Sequence, residues 1–191
     1  MTQLFQSSYY WLDLLVGYGF PAILFVFYLR GRVGRRDWRI FWIGALIGLS
    51  WEVPIFALSA MSSTPIVYWV REFPMHWTIF MVSHTLWDGA IFLVGVWLVA
   101  LICRPPILSR FRLSELAVMI AWGQASALLV ELSSITNDAW VYVEGYWWNP
   151  TLFYVGAHPI TLMMQPIWFV APIAFYLISL RMKNSDRKWI L

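Results

Sequence analysis

Residues 77–103 read WTIFMVSHTLWDGAIFLVGVWLVALIC, a largely apolar run that carries one imidazole, His84, and one carboxyl, Asp88. Side chains four residues apart share one face of a helix. The run is long enough for a membrane crossing, which takes ~20 apolar residues. A central Asp costs roughly 2.5–3.5 kcal/mol even on the insertion scale that penalises it least. Ionisable groups at that depth face a protein interior or a wet cavity, and by default they point to function. The stretch therefore reads as a membrane helix whose polar face needs partners on other helices.

The rest of the chain supplies those helices. The 191 residues are 61% hydrophobic and 12% charged, where a soluble domain carries about 25% charged residues. The expected fold is all-α: one polytopic domain, 1–191, with five transmembrane spans at about 9–29, 38–60, 75–103, 113–135 and 159–180. Pro21 is an expected kink in the first span, and Arg104-Pro105-Pro106 ends the third. Residues 1–8 contain no basic segment before the first apolar run, so that run reads as a retained helix. Cys103 is the single cysteine, which excludes an internal disulfide.

Charge sets the expected orientation. Arg30, Arg32, Arg35, Arg36, Arg39, Arg104, Arg110, Arg112, Arg181, Lys183, Arg187 and Lys188 fall on one side of the spans, and only Arg71 on the other. The positive-inside rule puts the N-terminus outside and the C-terminus in the cytoplasm. The net charge of +3 is thus topological, and no nucleic-acid partner is expected. The membrane is the endoplasmic reticulum in a eukaryote or the plasma membrane in a bacterium. Of the outer loops, 61–74 looks ordinary. Residues 136–157 contain no Lys or Arg and many aromatics. Glu144-Gly145 there suggests a turn between 140–143 and 146–148, a β-hairpin or re-entrant cap, or simply an interfacial aromatic loop.

Polar residues recur inside the spans at overlapping depths. With a 1.5 Å rise, Glu52 lies ~20 Å along the second span and His84 ~13 Å below the outer start of the third. Asp88 is near the midplane, as is Gln124, and Glu131 lies seven residues further out on Gln124's face. Gln165 is ~10 Å into the fifth span. Asp13 either joins this set or sits among headgroups. Each has a plain alternative: a helix–helix latch for His84–Asp88, and interhelical hydrogen bonding for Gln124 and Gln165. Glu115 and Asp37, close to the cytoplasmic interface, are expected to be solvated.

No phosphate loop, nucleophile elbow or zinc-ligand helix is present, and neither metal nor other cofactor is expected. No polar ladder reaches the cytoplasmic side, so an ion path has no support. Acid–base chemistry on a lipophilic substrate remains. A desolvated carboxyl can stay protonated and donate, and a neighbouring carboxylate or imidazole can accept. Protonating an alkene makes a carbocation, which aromatic faces stabilise. Trp51, Trp87, Trp122 and Trp168 lie beside or near the polar positions.

Four motifs carry a family resemblance: Ser50-Trp51-Glu52-Val53-Pro54, Leu86-Trp87-Asp88-Gly89, Gly123-Gln124, and Gln165-Pro166-Ile167-Trp168 followed by Pro172. In this order, over residues 42–180, the chain resembles the emopamil-binding (EXPERA) superfamily, which includes the sterol isomerases. The resemblance implies five helices, with Glu52 exchanging protons, Gln165 positioning a neighbour and Trp168 facing a cation. Two positions depart from it: Gly48 stands where the isomerases have a histidine, and Phe80 where they have an acid. Trp51-Glu52 also resembles the membrane-bound terpene cyclases. The leading expectation is an isomerase-like enzyme acting on a sterol or other isoprenoid, with Glu52, Asp88 and His84 catalytic. Trp51, Trp87, Gln124, Glu131, Gln165 and Trp168 would bind substrate. A terpene cyclase, a non-catalytic lipid- or sterol-binding protein and a structural subunit of a membrane complex stay open, as does a homodimer. The Gly44/Gly48 pair is the one hint of a small-residue contact face.

Overall fold

The computed structural model describes residues 2–182, with side chains from residue 8. Lys183, Arg187 and Lys188 of the expected basic tail lie outside the described residues. Five helices form: α1 (Thr2–Leu29), α2 (Arg35–Met61), α3 (Trp77–Ile102), α4 (Leu113–Thr136) and α5 (Met164–Leu180). The first four are long and apolar enough to cross a membrane. The α3 stretch, 77–102, stands at the centre and packs against α1, α2 and α4, while α5 packs mainly on α4.

The expected fifth span starts too early. Its first residues belong to a strand, and α5 has 17 residues, or about 26 Å against an apolar core of ~30 Å. Gly156, at φ +60°, turns the chain back. β3 (Thr151–Val155) and β4 (His158–Thr161) then pair as an antiparallel ribbon. The ladder bonds claim backbone groups that a longer helix would have used.

The all-α expectation also needs a second ribbon. β1 (Val67–Trp69) pairs antiparallel with β2 (Trp140–Tyr142), Val67 opposite Tyr142 and Trp69 opposite Trp140. A hairpin between 140–143 and 146–148, one of the readings open for this loop, is therefore not formed. Gly145 does bend the chain, at φ +90°, but β2 takes its partner from the 61–74 loop. That pairing buries Val67, Trp140 and Tyr142, which a local hairpin would leave in the open. The apparently ordinary loop is half of a cap over the helix bundle.

Glycines set the closest helix approach. A Cβ on Gly44 would stand 2.8 Å from Phe92 Cβ, and one on Gly89 2.8 Å from the Phe41 carbonyl. A Cβ on Gly48 would overlap Asp88. The Gly44/Gly48 pair expected to mark a face for another subunit is thus used within the chain, between α2 and α3. Above and below these contacts the core is aromatic, with Phe92 stacked on Phe175 at 4.5 Å.

The far end from the ribbons corrects two further expectations. Glu115 and Asp37 are buried rather than solvated, at 0% and 1% exposure. Glu115 Oε2 accepts from Leu108 N–H at 3.1 Å and Tyr176 O–H at 3.0 Å, and Arg112 Nη1 lies 3.5 Å from Oε1. Asp37 accepts from Gly34 N–H at 3.3 Å, closing the first turn of α2. Each acid is spent on backbone donors that a loop or helix start leaves unpaired.

Candidate functional site

The helices and the β1–β2 cap form an open-mouthed cavity of about 140 Å³. Asp13, Glu52, His84, Asp88 and Glu131 all line it. No Lys or Arg does. Its other walls are largely aromatic: Phe56, Trp69, Trp87, Trp140, Tyr142 and Trp168. The acids come from α1, α2, α3 and α4, so no two neighbouring helices suffice to build it.

His84 is the hub of one wall. Its Nε2 is 3.1 Å from Asp13 Oδ2, and its Nδ1 is 3.6 Å from Glu52 Oε2. The first is a hydrogen bond; the second is longer than the usual range for one. Phe56 sits edge-on to the imidazole at 5.1 Å, and Trp140 lies 5.9 Å away. The two carboxylates approach opposite ring nitrogens and so do not converge on a common point. Among the described residues no group of three His, Cys, Asp or Glu side chains could hold a metal ion.

Asp88 lies one turn further along α3. Its carboxyl fills the notch that Gly48 leaves in α2, where a Cβ would come within 2.2 Å of Oδ2. It is 4% exposed, and Oδ2 has no hydrogen-bond partner among the described residues. His84 and Asp88 therefore share a face, as their spacing requires, but they have separate neighbours. The imidazole reaches across to α1 and α2, and the carboxyl is wedged against α2.

The opposite wall is built around Glu131, which is 2% exposed. Its Oε1 accepts from Tyr142 O–H at 2.9 Å and its Oε2 from Gln165 Nε2 at 3.3 Å. Tyr142 lies outside the helices, on β2. Burial first, and then the Glu131 carboxylate beside it, hold its phenol well above the usual tyrosine range. It therefore remains a donor to Glu131.

Not every expected substrate residue reaches the cavity. Trp87 and Trp168 line it. Trp51 is buried edge-on to Trp168 at 5.6 Å and supports that ring from behind. Gln165 meets the cavity only through Glu131. Gln124 is turned away and donates to the Gln165 carbonyl at 3.1 Å, the interhelical role that was its alternative. Trp122 likewise ties helices, donating to the Ile91 carbonyl at 2.8 Å.

Two groups of cavity residues lie beyond the sequence expectation. Tyr9, Asp13 and Gly17 recur every four residues, which is the signal that would have placed Asp13 on an inward face. Tyr9 and Asp13 line the cavity, and Gly17 lets Ser83 approach. Trp69, Trp140 and Tyr142 come from loops that pair over a long sequence distance. No local pattern marks that pairing.

No protein-family model, curated protein or solved structure matches this chain.

Proposed function

We propose that the chain is a multi-pass integral membrane protein whose cavity performs proton-initiated carbocation chemistry on a sterol or other isoprenoid. The membrane part rests on four long apolar helices and on their outward faces, where Leu15, Leu46 and Leu129 are each about two-thirds exposed (67%, 66% and 63%). Such continuous apolar surface suits lipid and not water. Arg30, Arg32, Arg35, Arg36, Arg39, Arg104, Arg110 and Arg112 cluster at the end away from the ribbons. The positive-inside rule then puts that end in the cytoplasm and the N-terminus and cavity outside. The shorter α5 makes the fifth crossing.

The chemical part rests on one observation: several carboxyl groups and one imidazole stand in an aromatic cavity that, among the described residues, no Lys or Arg side chain lines. Glu52 is the acid. It delivers its proton to an alkene carbon, and the electron deficit passes to the adjacent carbon, facing aromatic rings such as Trp168. Asp88 then takes a proton from a neighbouring carbon, and that C–H pair becomes the new double bond. His84, with Nδ1 3.6 Å from Glu52 Oε2, tunes that acid. The side chains present supply each step. The resemblance to the EXPERA superfamily supports the same assignment. Of its three carried-over positions, Glu52 and Trp168 face the cavity and Gln165 reaches it only through Glu131, and the Asp88 carboxyl occupies the notch at Gly48, where the isomerases have a histidine.

Deuterium labelling tests this reading. Lipids that co-purify with the protein, or a panel of isoprenoid alkenes, are incubated in D2O and read by mass spectrometry. The expected result is deuterium at one carbon and a shifted double bond, abolished in Glu52→Gln while the protein stays folded and lipid-loaded. Ring closure instead of a shifted alkene would mark a terpene cyclase, which shares the first step. Label in Glu52→Gln at the wild-type rate would remove Glu52 as the acid, and no label with wild-type protein would leave a lipid-binding protein.

A further inference from the structure

We infer that Asp13 is a positioning residue that holds the His84 imidazole toward Glu52, a role that rests on the acid–base reading above. Three α3 side chains converge on it. Ser83 Oγ and Trp87 Nε1 donate to its carbonyl oxygen at 3.3 and 3.2 Å, and His84 Nε2 meets its carboxylate at 3.1 Å. Gly17 makes the approach possible, since a Cβ there would lie 2.0 Å from Ser83 Oγ. The carboxylate is well enclosed, with 11% of the side chain exposed. α1 contributes little other buried surface, 17% of its apolar window, so these polar contacts do much to seat the helix.

The asymmetry around the ring assigns the roles. At 3.1 Å the Asp13 side is a formed hydrogen bond, and at 3.6 Å the Glu52 side is not. One ring nitrogen is fixed and the other is presented. A carboxylate on one nitrogen of an imidazole sets its orientation and so fixes what the second nitrogen can do. Glu52, lacking a tight partner, is left free to exchange its proton with a substrate. The other acidic groups on the same cavity are the carboxyls of Asp88, on His84's own helix, and Glu131 on α4, and the phenols of Tyr9 and Tyr142. Neither carboxyl is recorded within ion-pair distance of the ring, so the bond to Asp13 is the one that holds it.

The chain has three histidines, which makes a direct test practical. Full-length wild type, Asp13→Asn, Asp13→Glu and Glu52→Gln are prepared with 15N-histidine in lipid nanodiscs, and His84→Gln identifies the His84 signals. Diethylpyrocarbonate probes access to the ring. Asp13→Asn is expected to move the His84 ring signals and to speed carbethoxylation of His84 on the order of tenfold. Asp13→Glu should restore part of both, and Glu52→Gln should change them much less. In the deuterium assay Asp13→Asn should lower kcat about 100-fold with KM little changed. His84 signals and modification rate at wild-type values in Asp13→Asn would overturn the positioning role, because packing or Glu52 would then hold the ring. A freed ring with no labelling activity in wild type would leave the positioning role standing and sink the acid–base reading. A variant that fails to fold is replaced by Asp13→Glu, whose longer side chain must displace the ring signals if the bond is real.

Discussion

Gly48→Ala tests the contact on which the placement of Asp88 depends. The added Cβ would lie 2.2 Å from Asp88 Oδ2, 2.8 Å from Cγ and 2.6 Å from Cβ. Rotating the carboxyl clears the first two but not the third, because Asp88 Cβ is fixed by the α3 backbone. With ordinary contact starting at 3.4 Å, α2 and α3 must part by 3.4 − 2.6 = 0.8 Å at this point. Overpacking of this kind costs about 1–3 kcal/mol. Alanine also gains about 0.5–1 kcal/mol of helix propensity over glycine, so the measurement needs a control. Gly19→Ala provides one, since nothing lies within 4 Å of a Cβ at Gly19. Reversible unfolding of both variants in mixed micelles should find Gly48→Ala less stable than Gly19→Ala by about 1–3 kcal/mol. Adding Asp88→Gly, which removes the clashing Cβ, should recover part of the loss in a double-mutant cycle, since neighbours that share a contact are not additive. Equal stability of the two single variants would mean that Asp88 does not occupy the Gly48 notch. The separation of roles between Asp88 and His84 would fall with it.

Two further outcomes follow from groups away from the cavity. Glu115→Ala leaves the buried Leu108 N–H without its acceptor and should cost about 1–3 kcal/mol, whereas Tyr176→Phe keeps that bond, removes the acceptor of the Arg112 N–H only at a part-buried position, and should cost less; unfolding midpoints compare the two. Glu144, on the surface, accepts from Tyr154 O–H at 2.6 Å and Thr151 O–H at 2.8 Å, and these bonds, Tyr154's first, hold its carboxyl below the usual glutamate range. A depressed carboxyl contributes stability above the ordinary glutamate range and loses it as the pH falls through the folded value. Amide protection factors over residues 151–155 should therefore drop on acidification, and Glu144→Gln should remove that dependence.

The helices were legible because their signal is local. Apolar runs of bilayer length identify themselves, and Pro105 and Pro106 stop α3 near the expected place. The ribbons were not legible. Val67–Trp69 is too short to declare itself a strand, and its partner lies more than seventy residues away in the sequence. The start of α5 was misplaced for the same reason, since His158–Thr161 is apolar enough to extend a helix until β3 claims its backbone. Among the site residues, the sequence placed Glu52, His84, Asp88 and Glu131 at compatible depths, and all four line one cavity. It could not separate them from Gln124, whose depth is right but whose side chain turns to a backbone carbonyl.

By itself, then, the sequence determined a chain of apolar helices with costly polar groups buried in them, because composition and 3.6-residue periodicity act along the chain. Only the tertiary structure decided who partners whom. It set Asp13 against His84, the Asp88 carboxyl into the gap at Gly48, and Tyr142 onto Glu131. Each of these pairings is fixed by how closely two elements approach, and that distance depends on glycines and strand pairings remote from the residues concerned. The His84–Asp88 face that betrays the helix is thus split by its neighbours into an oriented imidazole and a wedged carboxyl.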